Sequence, residues 1–203
     1  MSSPPLRRAD LDPDPLRQFA AWYSQAGDAV PTPEAVVLAT ATAAGAPAAR
    51  MVLLKGFDQR GFVFYTNYFS RKGQEIAQNP RAAMLFHWTP LGRQVRIEGA
   101  VHRIDAAESD AYFKTRAAGS RLSAAASPQS RPVASRDVLE AAVAELASRY
   151  PDGAVPRPEE WGGLRLVASR FEFWQHGEDR LHDRFRYRRD SIDASWIIER
   201  LAP

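Results

Sequence analysis

Apolar and polar positions recur along this chain with two different periods. In DPLRQFAAWYSQA (14–26), Leu16, Phe19, Ala20 and Tyr23 fall at helical spacing, which predicts an amphipathic helix. From residue 35 the period turns strand-like. AVVLATATAAGAPAARMVLLKGF (35–57) carries two apolar runs around an Ala-Gly-Ala-Pro turn, the pattern of a hairpin. GFVFYTN (61–67), RAAMLFHW (81–88) and RQVRIEGAVHRI (93–104) read as further strands, and LRLVASRFEFW (164–174), FRYRR (185–189) and WIIERL (196–201) as three more.

Helices punctuate these strands. Ser70 is placed to cap RKGQEIAQ, which Asn79 and Pro80 end, and Asp105 and Glu108 have capping-box spacing ahead of AYFKTR. SRDVLEAAVAELASRY (135–150) puts Val138, Leu139, Ala142, Val143 and Leu146 on one side, as in a surface helix packed on a core. Residues 1–14 are rich in proline and charge and read as a mobile N-terminal arm, leaving 15–203 as a single domain. Mostly antiparallel strands with short turns and peripheral helices place the chain in the α+β class, its sheet closing into a β-barrel.

Composition narrows the function. With 203 residues and 45% apolar content the chain can bury a full core, and the absence of cysteine removes disulfides, thiolate metal sites and thiol catalysis. No stretch approaches the roughly 18 apolar residues of a membrane span, and MSSPPLRRADLDPDP lacks the apolar middle of a secretory signal. The expectation is a cytoplasmic protein without a membrane partner. The net charge of +3 is modest, but arginine gathers in RLHDRFRYRRD (180–190). Those arginines alternate with apolar residues at strand spacing and no basic helix is present, which favours a small anionic ligand over nucleic acid. Glycine-rich dinucleotide, P-loop and HExxH metal motifs are all absent, so no metal is expected.

Four groups of residues remain as candidates for chemistry. Arg71 and Lys72 stand in the first turn after Ser70, where cations oppose the partial positive charge of a helix N-terminus. A bound phosphate would compensate them, and two solvated charges are the alternative. Tyr112, Arg116 and Ser120, at i, i+4 and i+8, align a phenol, a guanidinium and a hydroxyl on one face if a single helix runs that far. In ARMVLLK (49–55), alternation sends Arg50, Val52 and Leu54 to one face and Met51, Leu53 and Lys55 to the other. Arg50 and Lys55 therefore serve different groups, or the strand bends before Gly56. In RQVRIEG, Gln94 is free to face a ligand while Arg96 and Glu98 pair. Near the end, Trp174 stands before a loop carrying Arg180, Leu181, His182 and Arg184; a pocket with a cation and a proton carrier, or a His182–Asp183 surface pair, both fit.

LRRADLDPDPLRQFAAW, ARMVLLKGFDQRGFVFYTNYFSRKG, NPRAAMLFHW, RQVRIEG, SPQSR, WGGLR, FEFWQ, RLHDRFRYRRD and the terminal ERLAP together resemble the pyridoxamine 5'-phosphate oxidase family over roughly residues 6 to 203. The resemblance implies an FMN-binding split β-barrel and a homodimer with FMN at the interface. It assigns FMN to Arg50, Met51, Val52, Leu53, Leu54, Lys55, Tyr65, Thr66, Arg71, Lys72 and Gln94, completed by Gln129, Ser130, Trp174 and Arg184. It gives the substrate phosphate to Lys55, Tyr112, Arg116 and Ser120, and sets Arg180, Leu181 and His182 over the reacting ring, with Arg180 and His182 as the catalytic pair. The reaction it implies is hydride transfer from the 4' carbon of pyridoxamine or pyridoxine 5'-phosphate to the flavin, with dioxygen as acceptor and hydrogen peroxide as by-product. In SRLSAAAS (120–127), Ser123 and Ala125 stand where the family usually has glycine and tryptophan, which predicts a looser loop. Relatives acting on a reduced phenazine ring, and a flavin or pyridoxal-phosphate carrier without turnover, are the competing readings.

Overall fold

The alternation of periods is realised as five helices and nine strands in the computed structural model, which describes residues 4–191 and 193–203. Helix α1 (Pro15–Ala29) precedes strands β1 (Ala35–Ala41), β2 (Pro47–Leu53), β3 (Gly56–Asp58) and β4 (Gly61–Asn67). Helix α2 (Arg71–Gln78), β5 (Arg81–Trp88) and β6 (Arg93–Arg103) follow. Then come α3 (Ala106–Thr115), α4 (Ala118–Ala126), α5 (Arg136–Arg149), β7 (Trp161–Gln175), β8 (Asp183–Arg188) and β9 (Ile197–Leu201).

All strand pairs are antiparallel, in the order β2-β1-β5-β6-β7-β4-β3, with β8 and β9 branching from β7. The two ends of that path, β2 and β3, are joined by Leu54 and Lys55 alone, so the sheet curls back on itself. Lys55 N–H seals the join by donating to Val63 O at 2.8 Å. The curl makes a half-barrel of the sheet, the barrel-type architecture the pattern predicted, with β2 and β3 at its two ends. Among the described residues no helix is long and apolar enough to cross a membrane.

The barrel fills with alternate side chains, Phe62 and Phe64 from β4, Met84 and Phe86 from β5, Val95 and Ile97 from β6, and Phe171 and Phe173 from β7. Helix α1 plugs it. Asp14 caps the helix by accepting from Leu16 N–H, Pro15 fixes the first turn, and Phe19 meets the rings of Phe57, Phe62 and Phe86 at 5.0 to 5.1 Å. Truncating such a fully buried phenylalanine costs about 3–5 kcal/mol. A second, smaller core of Phe113, Leu122, Val155 and Trp161 sits beneath α3, α4 and α5.

Several expectations change in detail. Strand β7 begins at Trp161 rather than 164, because Gly162 and Gly163 let it pass where side chains would collide. A Cβ on Gly162 would lie 2.1 Å from Tyr68 Oη, and one on Gly163 2.2 Å from Ile104 Cδ1. The Asp105 carboxylate makes no capping bond; Glu108 turns instead to the buried guanidinium of Arg165, accepting at 2.8 and 3.0 Å. A buried cation needs that partner more than a helix end does. Helix α5 rests on the second core through Val143, Leu146 and Ala147, while Val138 is exposed. The segment 120–127, expected as a loose loop, is largely helical within α4.

Residues 4–14, expected as a mobile arm, are docked; residues 1–3 lie outside the described residues. Leu6 and Leu11 are buried, Leu6 N–H donates to Asp183 Oδ2 at 2.9 Å, and Tyr187 Oη donates to Asp12 O at 2.7 Å. Apolar burial outweighs the disorder that proline and charge suggested. The arginine-rich C-terminal segment is absorbed by cross-strand pairing, since Arg186 and Arg188 both reach Glu199 and Arg184 reaches Glu172.

Candidate functional site

Two separate hollows hold six of the predicted residues, Arg116, Ser120 and Gln129 in one and Gln94, Trp174 and Arg184 in the other. The first has a volume of about 370 Å³ and is lined by Asn67, Arg116, Gly119, Ser120, Ser123, Ala124, Ser127, Gln129 and Trp161. Trp161, in that lining, belongs to an aromatic stack. Tyr65 of β4 lies 3.9 Å from the Tyr112 ring and 5.3 Å from that of Trp161, with interplanar angles of 15° and 12°. Burial, aided by the charge of Glu108, pushes the Tyr65 phenol up to about 12, and burial also raises Tyr112, so both rings stay neutral donors at physiological pH.

The single helix assumed for Tyr112, Arg116 and Ser120 does not form. Helix α3 stops at Thr115, Arg116 is extended (φ −71°, ψ 148°), and Ser120 belongs to α4. The break falls at Arg116 and Ala117, neither of them helical, and Gly119 lies beyond it inside α4. Arg116 and Ser120 nevertheless line the same hollow, and Tyr112 is reached through the stack. The Arg116 guanidinium lies 4.8 Å from the Trp161 ring centre, and burial lowers its affinity for a proton. Its Nη1 atom is buried and has no hydrogen-bond partner among the described residues. An orphaned buried donor costs about 1–3 kcal/mol, which leaves this one able to take an additional acceptor.

Beside this hollow stands a second cationic group, set up by α2. Ser70 accepts from Gly73 N–H as the cap, which exposes the first turn. Lys72 Nζ donates to Gln129 Oε1 at 3.0 Å and to Thr66 Oγ1 at 3.2 Å, and Thr66 Oγ1 donates to Gln129 at 3.0 Å. Burial, then the neighbouring Arg50, lowers the Lys72 pKa. Arg50 donates to Leu38 O at 3.1 Å and to Glu75 Oε2 at 2.9 Å, while Arg71 reaches Glu75 Oε1 at 2.8 Å. Glu75 is buried, which by itself would raise its pKa; hydrogen bonds from Thr40, Arg71 and Arg50 outweigh that and hold it below the ordinary value. Two guanidiniums therefore share one carboxylate while Lys72 meets only neutral acceptors, an excess of positive charge that suits a phosphate dianion. Ser130, next to Gln129, takes a left-handed backbone (φ 70°) that few side chains adopt.

The strand carrying Arg50 follows the alternation. Val52 packs on the core and Met51 and Leu53 are exposed, at 59% and 43%. It then breaks, with Leu54 buried and Lys55 exposed in the connection to β3, so the bend before Gly56 is real. Lys55 lies outside the lining of the first hollow.

The second hollow, of about 290 Å³, is lined by Leu85, Gln94, Arg96, Glu172, Trp174, Arg184 and Pro203. Gln94 faces Trp174 across β6 and β7, and Trp174 faces Arg184 across β7 and β8. Glu172 anchors this side, accepting from Arg184 Nε at 2.9 Å and from Arg96 Nη2 at 2.6 Å; Arg96 also pairs with Glu98 as expected. The His182 ring lies 4.6 Å from that of Trp174, and its Nδ1 accepts from Gly177 N–H at 3.2 Å. Asp183 pairs with Arg200 and Leu6 N–H rather than with His182, which removes the surface-pair reading. Asp179 and Arg180 both have positive φ (51° and 64°), a strained loop that presents exposed Arg180 and Leu181.

The two hollows share no residue, and Trp161 and Trp174, one in each, lie on the same strand separated by roughly 40 Å of contour at about 3.3 Å per residue. Sequence reasoning missed Glu75, Glu172 and Trp161. Their signals were present: Glu75 is at i+4 from Arg71, Glu172 shares a strand face with Trp174, and Trp161 precedes a Gly-Gly pair.

Comparison with known proteins identifies the family and the fold. Residues 24–150 match the family model described as pyridoxamine 5'-phosphate oxidase, and residues 161–203 match a pyridoxine 5'-phosphate oxidase C-terminal dimerisation region. A pyridoxine/pyridoxamine 5'-phosphate oxidase of Cupriavidus metallidurans is 52% identical over 98% of this chain and 93% of its own length. Pyridoxine/pyridoxamine 5'-phosphate oxidase 1 of Ralstonia nicotianae is 55% identical over 96% and 92%. Among solved structures, PhzG from Burkholderia lata in complex with tetrahydrophenazine-1-carboxylic acid superposes with a TM-score of 0.92 at 33% identity, covering all of both chains. A pyridoxamine 5'-phosphate oxidase-related, FMN binding protein of Nostoc punctiforme, at TM-score 0.74, 22% identity and coverage of 94% and 98%, shares the fold.

Proposed function

The chain belongs to the pyridoxine/pyridoxamine 5'-phosphate oxidase family, and from that premise we propose that it oxidises the 4' carbon of pyridoxamine and pyridoxine 5'-phosphates to give pyridoxal 5'-phosphate. FMN is the cofactor and dioxygen the electron acceptor, leaving as hydrogen peroxide. When bound, FMN would accept two electrons from the substrate and be reoxidised by dioxygen, which would leave as hydrogen peroxide. The protein's residues bind, orient and shield.

Lys72, Arg71, Arg50, Thr66 and Gln129, with Ser130, hold the flavin phosphate, and Glu75 fixes the two arginines. Tyr65 and the segment from Met51 to Lys55 border the cofactor. Gln94, Trp174 and Arg184 take the ring end from the partner copy, because one chain keeps its two hollows apart. The C-terminal dimerisation region contains Trp174, Arg184 and the Arg180-Leu181-His182 loop, which supports a homodimer with FMN between the copies. Arg116, Ser120, Tyr112 and Lys55 hold the substrate phosphate. Arg180 and His182 close over the reacting ring, positioning it more than serving as obligatory bases.

The observation that carries the substrate class is the buried, unpartnered Nη1 of Arg116 beside Ser120. A phosphorylated substrate satisfies it. A second reading, oxidation of a reduced phenazine ring, draws on the similarity to PhzG. The two separate in one assay on FMN-loaded protein offered pyridoxine 5'-phosphate, pyridoxamine 5'-phosphate and a dihydrophenazine carboxylate. Pyridoxal 5'-phosphate formed mole for mole with hydrogen peroxide supports the proposal. Turnover of the phenazine alone selects the second reading, and flavin retained without turnover of any substrate indicates a carrier.

A further inference from the structure

The corner between α3 and α4, which pack together on the second core, is bridged by the side chain of Arg121. Arg121 Nη1 donates to Lys114 O and to Arg116 O, both at 2.9 Å, and its Nε donates to Gly153 O at 3.0 Å. The first two carbonyls belong to the end of α3, where helix geometry leaves acceptors without internal partners and favours a cation. The third belongs to the loop after α5. On the α4 side Ala117 makes no side-chain cap and Ala118 and Gly119 offer no polar side chain, while Thr115 Oγ1 donates only back within α3, to Tyr112 O at 2.8 Å. Gly153 (φ +68°) lies so close to Ala118 that a Cβ there would come within 2.4 Å of the alanine methyl, so the loop and the helix end meet flush and Arg121 clips both.

The residue whose carbonyl Arg121 grips is Arg116, whose guanidinium reaches the first hollow, and Ser120 is the neighbour of Arg121 on α4. We propose that Arg121 is a positioning residue: by clipping α3, α4 and the Gly153 loop it sets Arg116 and Ser120 at the spacing that grips the substrate phosphate. The inference rests on the reading of that hollow as the phosphate site. A guanidinium suits the task because its planar fork serves several carbonyls at once. Glutamine can serve only part of the set, and methionine none.

The test compares wild type, Arg121→Gln and Arg121→Met as FMN-loaded homodimers. For Arg121→Met, KM for pyridoxine 5'-phosphate rises about tenfold, the equivalent of one charge-assisted hydrogen bond, while kcat and FMN affinity stay within about twofold. Arg121→Gln falls between. An unchanged KM overturns the proposal, as does a joint loss of KM, FMN affinity and thermal midpoint, which marks a purely structural role. If wild type itself turns over no B6 phosphate, the proposed function has failed. Calorimetric titration with inorganic phosphate then reads Arg121 alone: affinity falling in the order wild type, Gln, Met upholds the clip, and equal affinities overturn it.

Discussion

Replacing Arg116 by methionine separates binding from stability. The substitution keeps an unbranched apolar stem and removes the guanidinium. On the stability side two terms oppose each other. Loss of the buried, unpartnered Nη1 relieves about 1–3 kcal/mol, and loss of the guanidinium face on Trp161, 4.8 Å away, forfeits about 0.5–2 kcal/mol. The net change for substrate-free enzyme runs from about 1 kcal/mol of stability lost to about 2.5 kcal/mol gained, a thermal midpoint from about 4 °C lower to about 10 °C higher for a chain of this size. On the binding side, two charge-assisted hydrogen bonds to a phosphate are worth about 3–6 kcal/mol together, a rise in KM of roughly 10² to 10⁴. Scanning calorimetry and steady-state kinetics on the same preparation measure both. A fall in midpoint beyond about 8 °C would make Arg116 a structural residue, and a KM within about fivefold of wild type would remove it from the phosphate site.

Other consequences follow from the same geometry. Burial lowers Lys72 below its ordinary 10.5, so the folded protein releases that proton first, and substrate- and FMN-free stability rises with pH between the lowered value and 10.5. FMN affinity moves the opposite way, falling across that window as the cation is lost; fluorescence titration of FMN checks it, and Lys72→Arg abolishes the decline. Tyr187→Phe deletes the bond to Asp12 O and costs about 1 kcal/mol, lowering the midpoint by about 2–4 °C while KM is unchanged; a shifted KM would mean that the docked N-terminal segment reaches the site. Mixing inactive Arg116→Met with inactive Arg184→Ala subunits gives hybrids with one intact site of two in half the dimers, so about a quarter of wild-type activity returns. No recovery would place both residues in a site built by one chain.

The barrel was legible because β1, β2 and β5 carry a clean alternation, as in RAAMLFHW, and because Ser70 announces α2 by local chemistry. The docked segment 4–14 was not, since Leu6 and Leu11 are isolated apolar residues amid proline and charge, and their partners lie nearly the whole chain away. The same distance hid Glu108: its spacing from Asp105 obeys a helix rule, but the buried Arg165 outbids that rule from β7. Within the site, spacing correctly joined Arg116 to Ser120 for a wrong reason, a continuous helix, where the actual link is a corner clipped by Arg121. Glu75 and Glu172 were passed over because a carboxylate among anion-binding cations looks out of place until the cations' own need for orientation is considered.

The claim that this chain is a flavin oxidase of phosphorylated B6 vitamers is tested most directly by the visible absorbance of FMN-loaded protein, mixed without oxygen with pyridoxine or pyridoxamine 5'-phosphate and then opened to air. Prompt bleaching, recovery of the flavin band in air and release of pyridoxal 5'-phosphate are the predicted result. A flavin band that neither substrate bleaches would contradict it.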